Sequence, residues 1–196
     1  MTQPAPPRWA EWLLRLSVKP TEYDNVSGDL LEEYRDRVLP ARGHVRADLW
    51  YASQVLVFMF NDAKLCGVLI GAAFVARTAL DWFVPTVDFH ARSIVSTDMG
   101  IGVVLLAGFT AARRSGSIAA GTASGLTTIA IGAAISVCGA AMMLAIWHDA
   151  GTMAAIRHSG GVAEVFTLPF MLLVPGAVFG TIGGVAGVAV RSVRAA

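Results

Sequence analysis

Arg77 and Asp81 stand four residues apart within an apolar run, a spacing that puts a guanidinium and a carboxylate on one helical face. Burying ionisable groups at membrane depth is costly, so such a pair serves either as a structural pair near the interface or as a gate or binding site. Asp98, near the start of the next apolar run, offers the same choice between capping its helix and lining a pathway. His90, His148 and His158 fall between apolar runs, together with Asp88, Asp149 and Glu164. Imidazole and carboxylate ligands suit zinc or another divalent ion. Their spacing matches no compact ligand motif, however, so no metal or cofactor is expected. Gly-x-Ser-x-Gly, HExxH and Cys–His signatures are absent. Ser124 and Ser136 have no histidine inside a span to act as their base. The chain is therefore expected not to be an enzyme.

The elements that must position these residues follow from composition. Of 196 residues, 55% are hydrophobic types and only 15% are charged, against about 25% charged in typical soluble domains. Seventeen of the 29 Asp, Glu, Lys and Arg residues lie in the first 64 positions. A polar head followed by a charge-poor body is the pattern of a membrane protein. Four apolar stretches, 63–84, 94–112, 118–147 and 165–190, are each long enough to cross hydrocarbon. The fold class expected is all-α, with a four-helix transmembrane bundle over 61–196. Cys66 and Cys138 both sit in apolar runs and read as small buried hydrophobes, not as a disulfide. No cleavable signal peptide is expected, because MTQPAPPRWAEW lacks a basic stretch leading into an apolar core.

Small residues are the strongest signal in the spans. Gly67 and Gly71 are four apart, as are Gly121 and Gly125, and Gly176, Gly180 and Gly184 continue the spacing through the last span. Such faces let helix backbones approach closely, either within one bundle or between copies or partners. Pro175 beside Gly176 predicts a kink, its freed carbonyl satisfied by a Thr181-like hydroxyl or by water. Lys64, Arg113, Arg114, Arg191 and Arg194 fall at one side of the four spans, together with the basic residues of the head. Arg92 and Arg157 fall at the other, so both termini are expected in the cytoplasm. Trp82 and Trp147 are then expected at the outer interface.

The head, residues 1–60, reads as three short helices. Trp9, Trp12, Leu13 and Leu16 recur at helical spacing, with Pro20 closing that segment. Thr21 stands as the N-cap of a second helix with Tyr23, Val26, Leu30 and Tyr34 on one stripe, ended by Pro40 and Gly43. A third helix from Val45 presents Ala47, Trp50, Tyr51, Gln54 and Phe58, and nothing stops it running on into the first span. PPRWAEWLLRL (6–16), GDLLEEYRDR (28–37), Gly43 and ADLWYASQVL (47–56) together resemble the permease prefix domain. That short N-terminal module precedes the first span of duplicated orphan permeases similar to the macrolide-exporter class of ABC-type permeases. The resemblance covers about residues 6–56. The large extracytoplasmic domain, the duplicated cores and a phosphate-binding loop of an ATPase are missing.

What the resemblance implies is organisational: a prefix module joined to a different four-span body. Trp9, Trp12, Asp29, Leu30, Glu33, Tyr34, Trp50, Tyr51 and Gln54 are the candidate interaction residues of that module. The function expected is a non-enzymatic accessory or regulatory protein of the inner (plasma) membrane, contacting lipid and a membrane or cytosolic protein partner. The rival is a small oligomeric transporter or channel using Arg77, Asp81 and Asp98. A near-neutral net charge of +1 gives no pull toward nucleic acid.

Overall fold

A computed structural model describes residues 4–84, 86, 89–158 and 161–195. Pro85 and Asp88 lie outside the described residues, as do the side chains of Asp62, His90 and Arg194. The described chain is all-helical: α1 (Arg8–Ser17), α2 (Pro20–Glu33), a π-helical turn (Tyr34–Val38), α3 (Leu39–Arg42), α4 (His44–Phe83), α5 (Phe89–Ser115), α6 (Ile118–Ile146), α7 (Ala150–His158), α8 (Gly161–Met171) and α9 (Leu173–Ala195). Four stretches are long and apolar enough to cross a membrane: Ala63–Phe83, Ala91–Ser115, Ile118–Ile146 and Gly161–Val193.

Near the N-terminus, several local expectations are corrected. Pro20 is itself the first residue of α2 and Lys19 its cap, so Thr21 lies inside the helix. Proline suits the first turn because the amide it lacks would be unpaired there. Nor does Pro40 end the second helix. The π-helical turn lets Leu39 N–H donate to the Tyr34 carbonyl five residues back, which re-registers the chain ahead of the proline. Termination comes at Gly43, whose φ of 73° is the left-handed conformation that glycine adopts without strain.

α4 then runs 40 residues without interruption, about 60 Å at 1.5 Å per residue. One side of its first third carries Ala47, Tyr51 and Val55, which close a core with Ala10, Leu14, Val18, Tyr34 and Val38. The end of α1 is also seated on the bundle: Leu16 and Ser17 line a small gap with Met59, Ala111, Ala120, Ala123 and Ser124.

Within the bundle α6 is central, packed against α4, α5 and α9. The α4–α6 contact is reciprocal. Gly67 and Gly71 receive Ile131 and Ile135, while Gly132 and Gly139 receive Ile70 and Val75. A Cβ added at Gly67 or Gly71 would lie 2.6 Å from the opposing isoleucine Cβ. On the other side, α6 meets α9 backbone to backbone: Gly121 and Gly125 face Gly176, Gly180 and Gly184. Gly108, Gly183 and Gly187 join α5 to α9 in the same way. Hydrocarbon offers no hydrophobic drive for helix association, so close backbone approach and dense van der Waals contact must hold these helices together.

The last span is broken where sequence placed only a kink. α8 ends at Met171 and α9 begins at Leu173. Pro175 cannot donate to the Met171 carbonyl, so the interruption falls a turn before the proline, not at the Pro175–Gly176 step. Thr181 does not serve that carbonyl. Its hydroxyl donates to Ala177 O at 2.7 Å and lies 2.7 Å from the hydroxyl of Thr122 on α6.

Candidate functional site

Arg77, on α4, meets Asp81 one turn later at 3.5 Å. Arg92, across the turn on α5, approaches the other oxygen of the same carboxylate at 3.3 Å and donates to the Leu80 carbonyl at 2.9 Å. Arg77 also reaches the Ser96 hydroxyl at 3.4 Å, and Ser96 in turn donates to the Ser93 carbonyl at 3.0 Å. Asp81 and Ser96 are buried, whereas each arginine side chain stays about one quarter exposed. The result is one carboxylate shared by two guanidinium groups. Sequence spacing identified Arg77 and Asp81, but Arg92 and Ser96 were missed. Their role depends on how α4 and α5 fold back on each other, which leaves no periodic signal within either helix.

Asp98 does not join this cluster. It is exposed on α5 and makes no ion pair among the described residues. Behind Arg77 and Asp81 lies a cavity of about 60 Å³, bounded by Thr78 and Trp82 of α4, Ser136 of α6, and Glu164, Val165 and Pro169 of α8. Pro169 has no amide hydrogen, so the Val165 carbonyl lacks its usual helical donor beside this space. The Trp82 indole N–H is buried with no hydrogen-bond partner among the described residues. Sequence placed Trp82 in the headgroup layer, but only 3% of it is exposed. It sits under α7 with Ala140, Met143 and Ile156. Trp147 is exposed and packs edge-on against Phe83, with ring centroids 5.0 Å apart.

Between the third and fourth apolar runs the chain forms a short helix, α7. Asp149 caps it, accepting from the amides of Gly151 and Thr152 at 3.0 and 3.1 Å and from the Thr152 hydroxyl at 2.7 Å. These bonds, that of the Thr152 hydroxyl foremost, hold the Asp149 carboxyl below the usual aspartate range. Asp149 is thus a helix cap and His158 bonds locally to the Ala154 carbonyl at 3.1 Å. His148 is exposed after α6, and the His90 side chain lies outside the described residues. Among the described residues no group of three or more His, Cys, Asp or Glu is placed to hold a metal ion. Ser124 donates to the Ala107 carbonyl of α5 at 3.3 Å, a helix–helix bond.

The N-terminal candidates divide by burial. Trp9 and Trp12 are each 55% exposed, and Asp29 and Glu33 are exposed with them. Leu30 and Trp50 pack partly against the core, and Gln54 is half-buried. Tyr34 and Tyr51 are fully buried, so neither can touch a partner; both serve the internal core, ring edge to face at 5.9 Å. The Tyr34 hydroxyl donates to Asp48 at 2.7 Å, whereas that of Tyr51 is buried with no hydrogen-bond partner. Tyr34→Phe should therefore cost about 1–2 kcal/mol, while Tyr51→Phe should be neutral or slightly stabilising. Thermal unfolding of the two variants in detergent gives the comparison.

Burial, and for Tyr34 also the Asp48 carboxylate, pushes the pKa of both phenols up to about 12. For Tyr51 the Glu11 carboxylate adds to burial, and Ser27 opposes it slightly without meeting the geometry of a hydrogen bond. A folded pKa raised from 10.0 means that the stability held by the neutral phenol is complete below pH 10 and lost as pH rises through about 12. An alkaline titration followed by phenolate absorbance should show Tyr34 and Tyr51 ionising near 12. The N-terminal core should loosen over the same window.

Beyond these candidates, α4 exposes Val45, Leu49, Leu56, Val57 and Phe60 ahead of the stretch that is long and apolar enough to cross a membrane, on the side turned away from Ala47, Tyr51 and Val55. Arg113 and Arg114 close α5 at this same end, where Arg191 of α9 donates to the Arg114 carbonyl at 3.2 Å. Searches against family models, curated proteins and solved structures find no match to this chain.

Proposed function

We propose that the chain is a non-enzymatic, multi-pass accessory or regulatory protein of the plasma membrane whose N-terminal helices form a cytosolic, prefix-like module that contacts another protein. The observation that carries this reading is the uncovered apolar face of α4, from Val45 through Leu49 and Leu56 to Phe60. Leu49 stands fourteen residues before the start of the spanning stretch at Ala63, about 20 Å along the helix axis. Lipid does not cover a helix standing that far from the hydrocarbon, and contiguous apolar surface in water marks a protein contact. The exposed Trp9 and Trp12 belong to the residue types that dominate such contacts.

Because α4 is continuous, force or rotation applied to the module passes directly into the first span. Contact of α1 with the ends of α5 and α6 gives a second route. Basic residues at the module end, Lys64, Arg113, Arg114 and Arg191, favour placing it in the cytoplasm. A photo-crosslinker in place of Leu49, activated in native membranes, should give an adduct with a second polypeptide. Adducts with lipid alone, or none, would count against the reading. The rival reading, a small oligomeric transporter, rests on the Arg77–Asp81–Arg92 cluster and its adjoining cavity. Solute or ion flux in liposomes, lost in Asp81→Asn, would favour it.

A further inference from the structure

Asp98 stands seven residues into Ala91–Ser115, a stretch long and apolar enough to cross a membrane, and so about 10 Å along its axis. Arg113, which closes the same helix, is fifteen residues further on, about 22 Å of the roughly 30 Å that hydrocarbon occupies. At that depth a side chain as short as aspartate cannot snorkel to the surface. The carboxyl is exposed and makes no ion pair among the described residues. Arg77 meets Ser96, which is buried two residues before Asp98, and residues so spaced do not share a helix face. Arg92 is turned to Asp81 and the Leu80 carbonyl. His90 stands eight residues before Asp98, about 12 Å along α5 and beyond ion-pair reach, and Arg194 belongs to the far end of α9.

The surface around Asp98 is shaped for a helix. Val95, Asp98, Gly102 and Leu106 recur at three- and four-residue spacing and are all exposed. Nothing lies within 4 Å of a Cβ added at Gly100 or Gly102. Every other glycine inside the spans, Gly161 at the start of the last one excepted, meets a neighbouring helix within that distance. A span glycine of this chain thus marks a helix contact, and on this face the chain supplies no helix. A carboxylate facing hydrocarbon is costly until a partner of opposite charge covers it.

We propose that this face of α5 docks a transmembrane helix of another protein, one that carries a lysine or arginine in the half of the membrane remote from the N-terminal helices. Charge complementarity selects the partner, since a cation on its span neutralises Asp98 inside one low-dielectric contact. Gly102, one turn along, lets the two backbones approach. A second copy of the chain would set Asp98 against Asp98 across a two-fold axis, a pair of like charges. A lipid ammonium stays in the headgroup layer, outside the hydrocarbon. This contact lies within the membrane, apart from the apolar face of α4 ahead of its span, so either can fail without the other.

The test reconstitutes the full chain in phosphatidylcholine vesicles with a dye-labelled leucine–alanine helix bearing one lysine at the depth of Asp98. Energy transfer reads the association. The lysine helix should bind about tenfold more tightly than its lysine-free twin. Asp98→Asn should erase that difference, Asp98→Glu should keep most of it, and Gly102→Leu should weaken lysine-helix binding by about threefold or more. Equal binding of the two helices to wild type would overturn the proposal. So would a lysine preference that survives Asp98→Asn, or binding undiminished in Gly102→Leu. In native membranes, a photo-crosslinker in place of Leu106 should join α5 to an apolar segment of another protein that contains a basic residue. An adduct with α5 of a second copy, or with lipid alone, would reject the assignment.

Discussion

Gly180→Leu is expected to abolish the folded bundle, and even Gly180→Ala should destabilise it by about 2–3 kcal/mol. A Cβ at this position would lie 2.7 Å from the Gly121 carbonyl oxygen and 2.9 Å from Gly125 Cα. Both obstacles are backbone, so no rotamer change relieves the clash and α6 and α9 must move apart. α9 is also bound to α5 through Gly108, whose own added Cβ would strike the Gly180 carbonyl. Separating α9 from one neighbour therefore disturbs its packing on the other. Gly102 is the matched control, with nothing within 4 Å of an added Cβ. There, alanine gains helix propensity of about 0.5–1 kcal/mol and meets no obstacle. Melting temperatures of the three variants in one detergent decide the matter. A Gly180→Ala protein as stable as Gly102→Ala would mean that α6 and α9 do not approach as closely as described.

The physical reason some features were legible in sequence and others were not is clearest at particular residues. Hydropathy and length sufficed for the four long apolar helices, because a span must satisfy its own backbone hydrogen bonds wherever its neighbours lie. Interruptions were harder. Pro40 and Pro175 each announce a missing donor, but where the chain yields depends on which residue can shift, and the answers were the Tyr34–Val38 turn and Leu172. The four-residue spacing of Gly121 and Gly125 marks a packing face without naming the helix that fills it. Gly108, Gly132 and Gly139 belong to the same interfaces yet were not singled out from the sequence.

Tyr34 and Tyr51 stand beside the exposed Trp9 and Trp12 among the candidate interaction residues, and only tertiary packing separates core residues from surface ones. The polar cluster shows the same limit more sharply. A pair at i, i+4 is visible in sequence, but a third member reached across a turn is not, and here the third member takes the net charge of the paired groups from zero to +1.

That third charge sets the size of the effect expected at Asp81. Asp81→Asn leaves Arg77 and Arg92 facing each other across a neutral amide, and the fold should lose about 3 kcal/mol. Removing one partner of a buried pair costs more than removing both, because it strands charge where water is scarce. The double variant Arg77→Met, Asp81→Leu should therefore be closer to wild type than Asp81→Asn, with a loss of about 1 kcal/mol. Arg92, one quarter exposed and next to the turn, can then turn outward to water or a headgroup.

Thermal unfolding of the double variant and of Arg77→Met and Asp81→Leu alone closes a mutant cycle whose coupling energy belongs to the pair itself. Coupling near zero would mean that Arg77 does not need Asp81, and the cluster would reduce to Asp81 with Arg92. The same variants separate the two functional readings. If the cluster only holds α4 to α5, the stable double variant keeps whatever activity the wild type shows. If it lines a pathway, flux disappears in the double variant even though its fold survives, since the polar groups that a solute would cross have been replaced by methionine and leucine.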